Sequence, residues 1–511
     1  MRTYKRDFFF FLSLIGILFY TSCRKDFNTV QSTGSLTFSK DTVYLDTIFS
    51  NIGSSTRSFK VYNKSNDAIS IPSITLQNGL GSFYRLNVDG ISGKNFENID
   101  ILAHDSIFVF VEATIDFSQV TNPLYTDKIL FDTGINEQKI DLVTLVQDAH
   151  FLFPSRDANG IKETIILGFD IDGDPIEING FLLDGNTTFT NDKPYVIYGY
   201  VGVPENTILT INHGAQLHFH EDSGIIVSKN ATLNVNGTLT DKVIFQGDRL
   251  EPNFENTAGQ WGTIWLRAGS QNNTINHALI KNNIIGILVD SIGNNTSPTL
   301  SLKNTEIYNT TNFGVLARET HIEGQNVVIA NNGQSSLACT IGGSYTFTHC
   351  TFANYYNTGF RQFPTVLINN FFSFMDDSGA EAFETRDLNQ ALFVNCIIDG
   401  NQNIEMILDK KEGNLFNYHF KNNLIKFNDV NKNFTLDPLY DFENSALFTS
   451  NILNDDAQFQ DVQTNQLMIG KDSEVINKAD ANAATQVPFD ILGVSRTANP
   501  DIGAYQHSID F

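Results

Sequence analysis

Six residues in the longest interruption of the early sequence, Asp248, Arg249, Glu251, Trp261, Trp265 and Arg267, bring carboxylates, guanidinium groups and both tryptophans of the chain together. Indole faces suit sugar rings, and flanking acids and arginines can bond hydroxyl groups, so this stretch is a candidate ligand site. The competing reading makes Trp261 and Trp265 the start of the next core layer and Arg249 a local ion-pair partner. A second set lies in "LHFHED", where His218 and His220 alternate along a strand and share one face. Two imidazoles at that spacing could hold a Zn²⁺ ion, with Asp222 as a further ligand, or could simply be surface. A third set, Asp170, Asp172 and Asp174 in "FDIDGDPIE", suits either Ca²⁺ or an acidic turn, with Pro175 interrupting the calcium pattern. A chain without any cofactor remains the simpler expectation.

The elements that would position these groups are legible as a repeat. Ile280, Ile307, Ile329, Phe352, Phe372, Ile398 and Ile425 recur at intervals of 20 to 27 residues. Three positions before each stand His277, Asn304, Asn326, His349, Asn369, Asn395 and Asn422. Asn282, Asn309, Asn331 and Asn354 follow two positions after the first four anchors. Such a period belongs to a solenoid, whose units bury their apolar faces against their neighbours. The phrases alternate like short strands rich in Ile, Val, Thr and Phe, so stacked strands are expected in preference to helices. Asparagine tolerates the left-handed region, so the recurring Asn should mark the bend between strands of one coil.

With 511 residues the chain can hold two or three domains, and 42 Phe against 4 Met suit broad sheets. Residues 35–150 have a separate rhythm of alternating strands broken by Gly, Asn and Ser, which predicts a β-sandwich. A net charge of −24 argues against nucleic acid as partner, and against anionic polymers unless a metal ion intervenes.

The opening "MRTYKRDFFFFLSLIGILFYTSC" has a basic start and an apolar run from Phe8 to Tyr20, well short of the ~20 residues that span a membrane. It reads as a secretory signal over 1–22, with 23–34 as a tether. Thr21-Ser22-Cys23 resembles a bacterial lipobox, which implies lipid modification of Cys23 and an outer-membrane anchor on the cell surface or the periplasmic face. Cys339, Cys350 and Cys396 are expected as buried thiols. Counting the Phe372 unit as a coil puts Cys350 and Cys396 two strand spacings apart, beyond disulfide reach.

Residues 190–430 resemble the right-handed parallel β-helix, and 35–150 resemble the immunoglobulin-like domains of bacterial surface and hydin-like proteins. "DILGVSRTANPDIGAYQ" at 490–506 is similar to the closing phrase of many secreted bacterial β-helix proteins. That resemblance makes Arg496, Pro500 and Asp501 folding elements of the last coil. The whole chain after Arg24 resembles bacterial lipoproteins known as right-handed parallel β-helix repeat-containing proteins, a family with a fold and no established reaction. The expectation is therefore an all-β chain: a small β-sandwich, then a right-handed parallel β-helix solenoid over 160–511 with a C-terminal capping segment. Binding of glycan or another surface ligand is the leading function. The alternatives are a polysaccharide lyase or glycoside hydrolase, and a purely structural surface element. Polygalacturonase-like hydrolases carry Asn-Thr-Asp, Gly-His-Gly and Arg-x-Lys phrases, none of which occurs here.

Overall fold

A computed structural model describes residues 28–291, 297–376 and 378–507. The signal sequence, Cys23 and the start of the tether lie outside the described residues. The chain divides into two compact units, 1–148 and 149–511.

The first unit is a β-sandwich. One sheet contains Thr29–Gln31, Thr42–Phe49, Ala68–Leu76, Asn95–Ile101, Leu124–Phe131 and Gln138–Gln147. The other contains Thr37–Phe38, Arg57–Tyr62, Tyr84–Val88, Ile91–Gly93 and Ser106–Ala113. Alternation drives the packing: in Ser106–Ala113, Ile107, Val109, Val111 and Ala113 are buried while the residues between them are not. These side chains join Val43, Phe59, Ile71, Tyr84 and Phe131 in one core. Thr29–Gln31 pairs in parallel with Ala68–Ser70, so the sandwich begins inside the stretch expected to be tether.

The second unit is a parallel β-helix, and its first strand, His150–Leu152, precedes the boundary expected at 160. Eleven strands form one ladder, here called the first face, which includes Gln216–Phe219, Val243–Gly247, Ala278–Lys281, Glu306–Thr310, Val328–Asn332, Thr351–Asn354, Ile397–Gly400 and Leu424–Ile425. The second and third faces form one continuous 18-stranded sheet. They are joined because Val315–Gln325 and Leu337–Thr348 run unbroken from one face into the next. Inward side chains stack coil on coil into a single core containing Phe219, Phe245, Ile280, Ile307, Ile329, Phe352, Ile398 and Ile425.

The asparagine reading corresponds to backbone geometry. His277, Asn304, Asn326, His349, Asn395 and Asn422 all have positive φ, as do Asn282, Asn309 and Asn331 at the next bend. The side chains also bond along the stack: Asn326 Nδ2 donates to Asn304 Oδ1 at 2.9 Å, and Asn304 Nδ2 to Asn276 Oδ1 at 3.0 Å.

One repeat unit does not hold. Phe352 pairs with Ile398, with no coil between them. Phe372 instead belongs to an antiparallel hairpin, Phe371–Met375 with Glu381–Thr385, and is substantially exposed. The cause is local: Asp376 Oδ1 accepts from the backbone N–H groups of Ser378 and Ala380, closing a turn between two alternating runs. Cys350 and Cys396 consequently lie on adjacent coils, since Thr351 pairs with Ile397. They are one strand spacing apart, rather than the two expected from sequence, and both are buried free thiols.

The closing segment also differs from expectation, lying along the outer side of the first face rather than over the last coil. Leu467, Ile491, Ala504 and Tyr505 pack on the outward Tyr308, Val328, Ala330 and Ala353. Asn326, Asn395 and Asn422, at corners along one edge of the stack, donate to the carbonyls of Phe489, Asp480 and Lys478.

Candidate functional site

On the second face, Ile264 and Leu266 point into the core and Trp265 points outward, next to Ile226 and Leu288 of the adjoining coils. A hairpin, Thr164–Phe169 with Pro175–Leu182, packs against this surface through Ile165, Leu167 and Ile178. The result is a cleft of about 630 Å³ lined by Ile165, Ile166, Leu182, Glu205, Lys229, Trp265, Arg267 and Asp290.

Trp265 is fixed within this cleft. Its Nε1–H donates to Asp290 Oδ2 at 2.6 Å, and Asp290 Oδ1 accepts from Arg318 Nε at 2.7 Å. The Arg267 guanidinium lies 5.6 Å from the Trp265 ring centroid, and its other end donates to the Leu167 carbonyl of the hairpin. An indole with a set orientation, beside charged groups of both signs, can bind a molecule with an apolar face and polar edges.

The other sequence candidates separate from this pair. Trp261 is fully buried, stacks on Phe219 with ring centroids 4.4 Å apart, and donates from Nε1 to the Lys281 carbonyl at 2.9 Å. It is a core residue closed to any ligand, bridged through its backbone to Asn283 of the next coil ahead of the strand Ile264–Leu266. Arg249 bonds Glu251 at 3.0 Å, and its guanidinium carbon lies 3.9 Å from the Phe254 ring centroid, so both residues brace their own loop.

His218 and His220 are engaged separately. His218 is buried, donates from Nδ1 to the Gly247 carbonyl at 3.3 Å, and is pushed down to about 4 by burial. His220 lies at the surface with Nδ1 2.7 Å from Asp248 Oδ2. Burial raises the Asp248 carboxyl, against the pull of its hydrogen bond to His220. The Tyr198 ring lies 4.5 Å from the His220 ring, and burial pushes its phenol up to about 12. Tyr198 and His220 border a second cleft of about 490 Å³ that is also lined by Arg156, Lys162, Glu221 and Asp222.

The calcium reading of 170–174 does not gain a site. Asp170 Oδ1 accepts from the backbone N–H groups of Asp172 and Asp174, so the carboxylate closes the tip of the hairpin. Among the described residues no group of three or more His, Cys, Asp or Glu is arranged to hold a metal ion.

Glu205, Lys229, Asp290 and Arg318 were not singled out from sequence, yet two of them carried a signal. Trp265 pairs with Leu288 and Leu288 with Leu316, so extending the register by two positions stacks Arg267, Asp290 and Arg318 in one column of alternating charge. Glu205 and Lys229 lie in turns, where strand periodicity gives no register.

Residues 180–288 match the family model described as pectate-lyase like beta helix domain. That stretch holds Trp265, Arg267, His220 and Asp248. Among solved structures, the catalytic unit of a thermostable GH87 alpha-1,3-glucanase from Streptomyces thermodiastaticus strain HF3-3 is similar at 9% identity over 72% of this chain and 84% of that one, with a TM-score of 0.24. A family 123 glycoside hydrolase from Clostridium perfringens is similar at 11% identity over 22% of this chain, with a TM-score of 0.15. The chain spans only 26% of that enzyme's length. No curated protein matches the chain.

Proposed function

We propose that this protein is an exported, lipid-anchored glycan-binding protein whose β-helix takes its ligand in the Trp265 cleft. The observation that carries the reading is the fixed indole: Trp265 is only partly buried, and Asp290 holds its ring where a sugar face could stack. Arg267, Lys229 and Glu205 supply donors and acceptors around that ring. Anchoring rests on the lipobox at Cys23 and would place the binding unit at a membrane surface. The test is a glycan array on the detergent-solubilised protein, followed by titration of each hit against Trp265→Ala. Equal affinity in both proteins would remove Trp265 from the site and overturn the reading.

A second reading, a carbohydrate-active enzyme, is favoured by one observation. Asp248 and His220 form a carboxylate–imidazole pair, which fixes Nδ1 and leaves Nε2 as the nitrogen for proton transfer. Arg156 and Lys162 in the same cleft could hold an acidic or polar substrate group. Product analysis of array hits decides between the readings. Turnover that disappears in His220→Gln with binding retained would make the protein an enzyme.

A further inference from the structure

Three excursions from the solenoid converge at one corner of the first face, where Asn309 and Asn331 stack. The 248–260 segment is held there by Asn282, whose Nδ2 donates to the Glu255 carbonyl at 2.8 Å. The segment after Thr351–Asn354 is held by Tyr355, whose backbone N–H donates to Asn331 Oδ1 at 3.2 Å. The C-terminal hairpin, Phe459–Asp461 with Gln466–Ile469, is held by Asn331, whose Nδ2 donates to the Val462 carbonyl at 3.0 Å and to Asn465 Oδ1 at 2.6 Å. Between them lies a cleft of about 300 Å³, and Asn357 bonds Gln463 across two of its walls. That volume is at the small end of the roughly 300–1,000 Å³ typical of ligand pockets. Excursions from a repeat scaffold that meet on one side commonly form its binding surface.

The lining chemistry selects the ligand. Every lining residue among those described is Asn, Gln, Thr, Tyr or Ala, so the wall has no carboxylate, ammonium, guanidinium or imidazole group. This composition stands out in a chain with 57 acidic and 33 basic residues. A charged ligand would lose hydration without gaining a counter-charge, and an apolar one would strand the amides. A polyhydroxylated neutral molecule avoids both penalties, because each hydroxyl can donate and accept against amides and hydroxyls that do the same. Tyr355 and Tyr356 add ring surface, and Tyr355 is fixed by donating its phenol hydrogen to Asp399 Oδ2 at 2.7 Å.

We infer that this corner cleft binds a sugar unit of an uncharged glycan. The inference shares only the ligand class with the Trp265 reading and rests on residues of another face, so either can fail alone. The probes are neutral hexasaccharides of α-glucan, β-glucan and mannan, with an oligogalacturonate of equal length as the charged comparison, titrated into the full-length protein by calorimetry. Asn256 and Tyr356 are the residues to change, since neither holds an excursion in place through its side chain.

The expected result is binding of at least one neutral hexasaccharide that persists in Trp265→Ala, is insensitive to added salt, and weakens about tenfold or more in both Asn256→Leu and Tyr356→Ala with unchanged melting. A third variant, Thr358→Glu, should also weaken it by placing a charge on the rim. Neutral-glycan binding lost entirely in Trp265→Ala would overturn the inference while leaving the Trp265 reading intact. It would also be overturned by preferential, salt-sensitive binding of the oligogalacturonate, by no binding to any neutral probe, or by full affinity in all three cleft variants.

Discussion

Replacing each tryptophan by alanine separates core from site, because the two residues lie four positions apart in the same coil and differ in what they touch. Trp261→Ala removes a fully buried indole, its stacking on Phe219 and its hydrogen bond to the Lys281 carbonyl. Large aromatic truncations in a core cost about 3–5 kcal/mol, and a lost aromatic pair adds to the upper part of that range. Each kcal/mol moves the melting temperature by roughly 2–4 °C in domains of about 150–250 residues and by the lower part of that range or less in the larger unit at 149–511, so a fall of up to about 10 °C is expected. Trp265→Ala removes a partly exposed ring, and Asp290 keeps its bond to Arg318 afterwards. Its cost should be about 1–2 kcal/mol, a shift on the order of 5 °C or less. The assay pairs calorimetric melting with glycan titration for both variants and for Trp265→Phe, which keeps a ring and loses the N–H. Affinity should fall in Trp265→Ala and partly recover in Trp265→Phe. Equal melting of the two alanine variants, or an unchanged melt for Trp261→Ala, would refute the assignment of Trp261 to the core and Trp265 to the cleft.

Other consequences concern the buried polar groups. Arg361 and Glu405 form a bidentate pair at 2.7 and 2.5 Å with side chains 2% and 0% exposed, so Arg361→Ala should cost about 3–5 kcal/mol in urea unfolding by leaving Glu405 charged and unpaired. The double variant Arg361→Met with Glu405→Leu should recover much of that loss. His218 is held to about 4 from an ordinary value of 6.5, so the unfolded chain binds the extra proton between those values. The stability tied to neutral His218 is therefore complete above about pH 6.5 and lost as pH falls through about 4, an effect on the order of 3 kcal/mol. Buried His349 shifts in the same direction, and melting curves from pH 7 to 4 should show a shallower decline in His218→Asn than in the parent. Burial pushes the Cys339 and Cys396 thiols up, so a thiol reagent should leave both unmodified in the native protein and react with them once it is denatured.

The solenoid was legible because its constraint is periodic. An inward Ile next to an Asn in the left-handed region repeats for the same steric reason in every coil, and Asn304, Asn326, Asn395 and Asn422 all have the positive φ that this requires. Phe372 misled because Asn369 and Phe372 reproduce the spacing, yet Asn369 ends a β-helix strand without the positive φ of the corners and Phe372 belongs to a hairpin. The turn at Asp376 and Gly379 between two alternating runs was the local sign of that hairpin. The error carried over to Cys350 and Cys396, whose separation was counted through a coil that does not exist. Trp261 and Trp265 could not be told apart by spacing, since an even separation puts both on one face only if the strand is continuous. Here the strand begins at Ile264, and Trp261 makes a separate bridge to Asn283 before it. The corner cleft was not legible at all. It is made by contacts between segments some hundred or more residues apart, as in the bond from Asn357 to Gln463, and no local pattern records such a meeting.

The closing phrase explains why open surface on the first face is found at its corner. The outward side of that ladder is apolar, with Tyr308, Val328, Ala330, Ala353, Ile397 and Leu424 all buried, and a bare stack would expose them as one patch. Residues between 457 and 505 cover it, and their acids and arginine act on the backbone of that cover. Asp490 accepts from the N–H groups of Leu492, Val494 and Gln506, Asp501 from those of Asn477 and His507, and the fully buried Arg496 donates to the Gly503 carbonyl at 2.9 Å. Each of these side chains bonds the backbone of its own segment, as a folding element would. Where the cover narrows to the hairpin at 459–469, it meets the two other excursions and the corner asparagines. A ligand approaching the first face there finds amides and hydroxyls instead of a sealed apolar ladder. Removing the hairpin's hold on Asn331, as Asn465→Ala would by deleting the 2.6 Å bond, should therefore loosen the wall of the cleft before it loosens the stack. Hydrogen exchange should show it, with faster exchange at 459–469 and unchanged protection in Val328–Asn332; equal loosening of both would mean that the cover and the ladder fold as one unit.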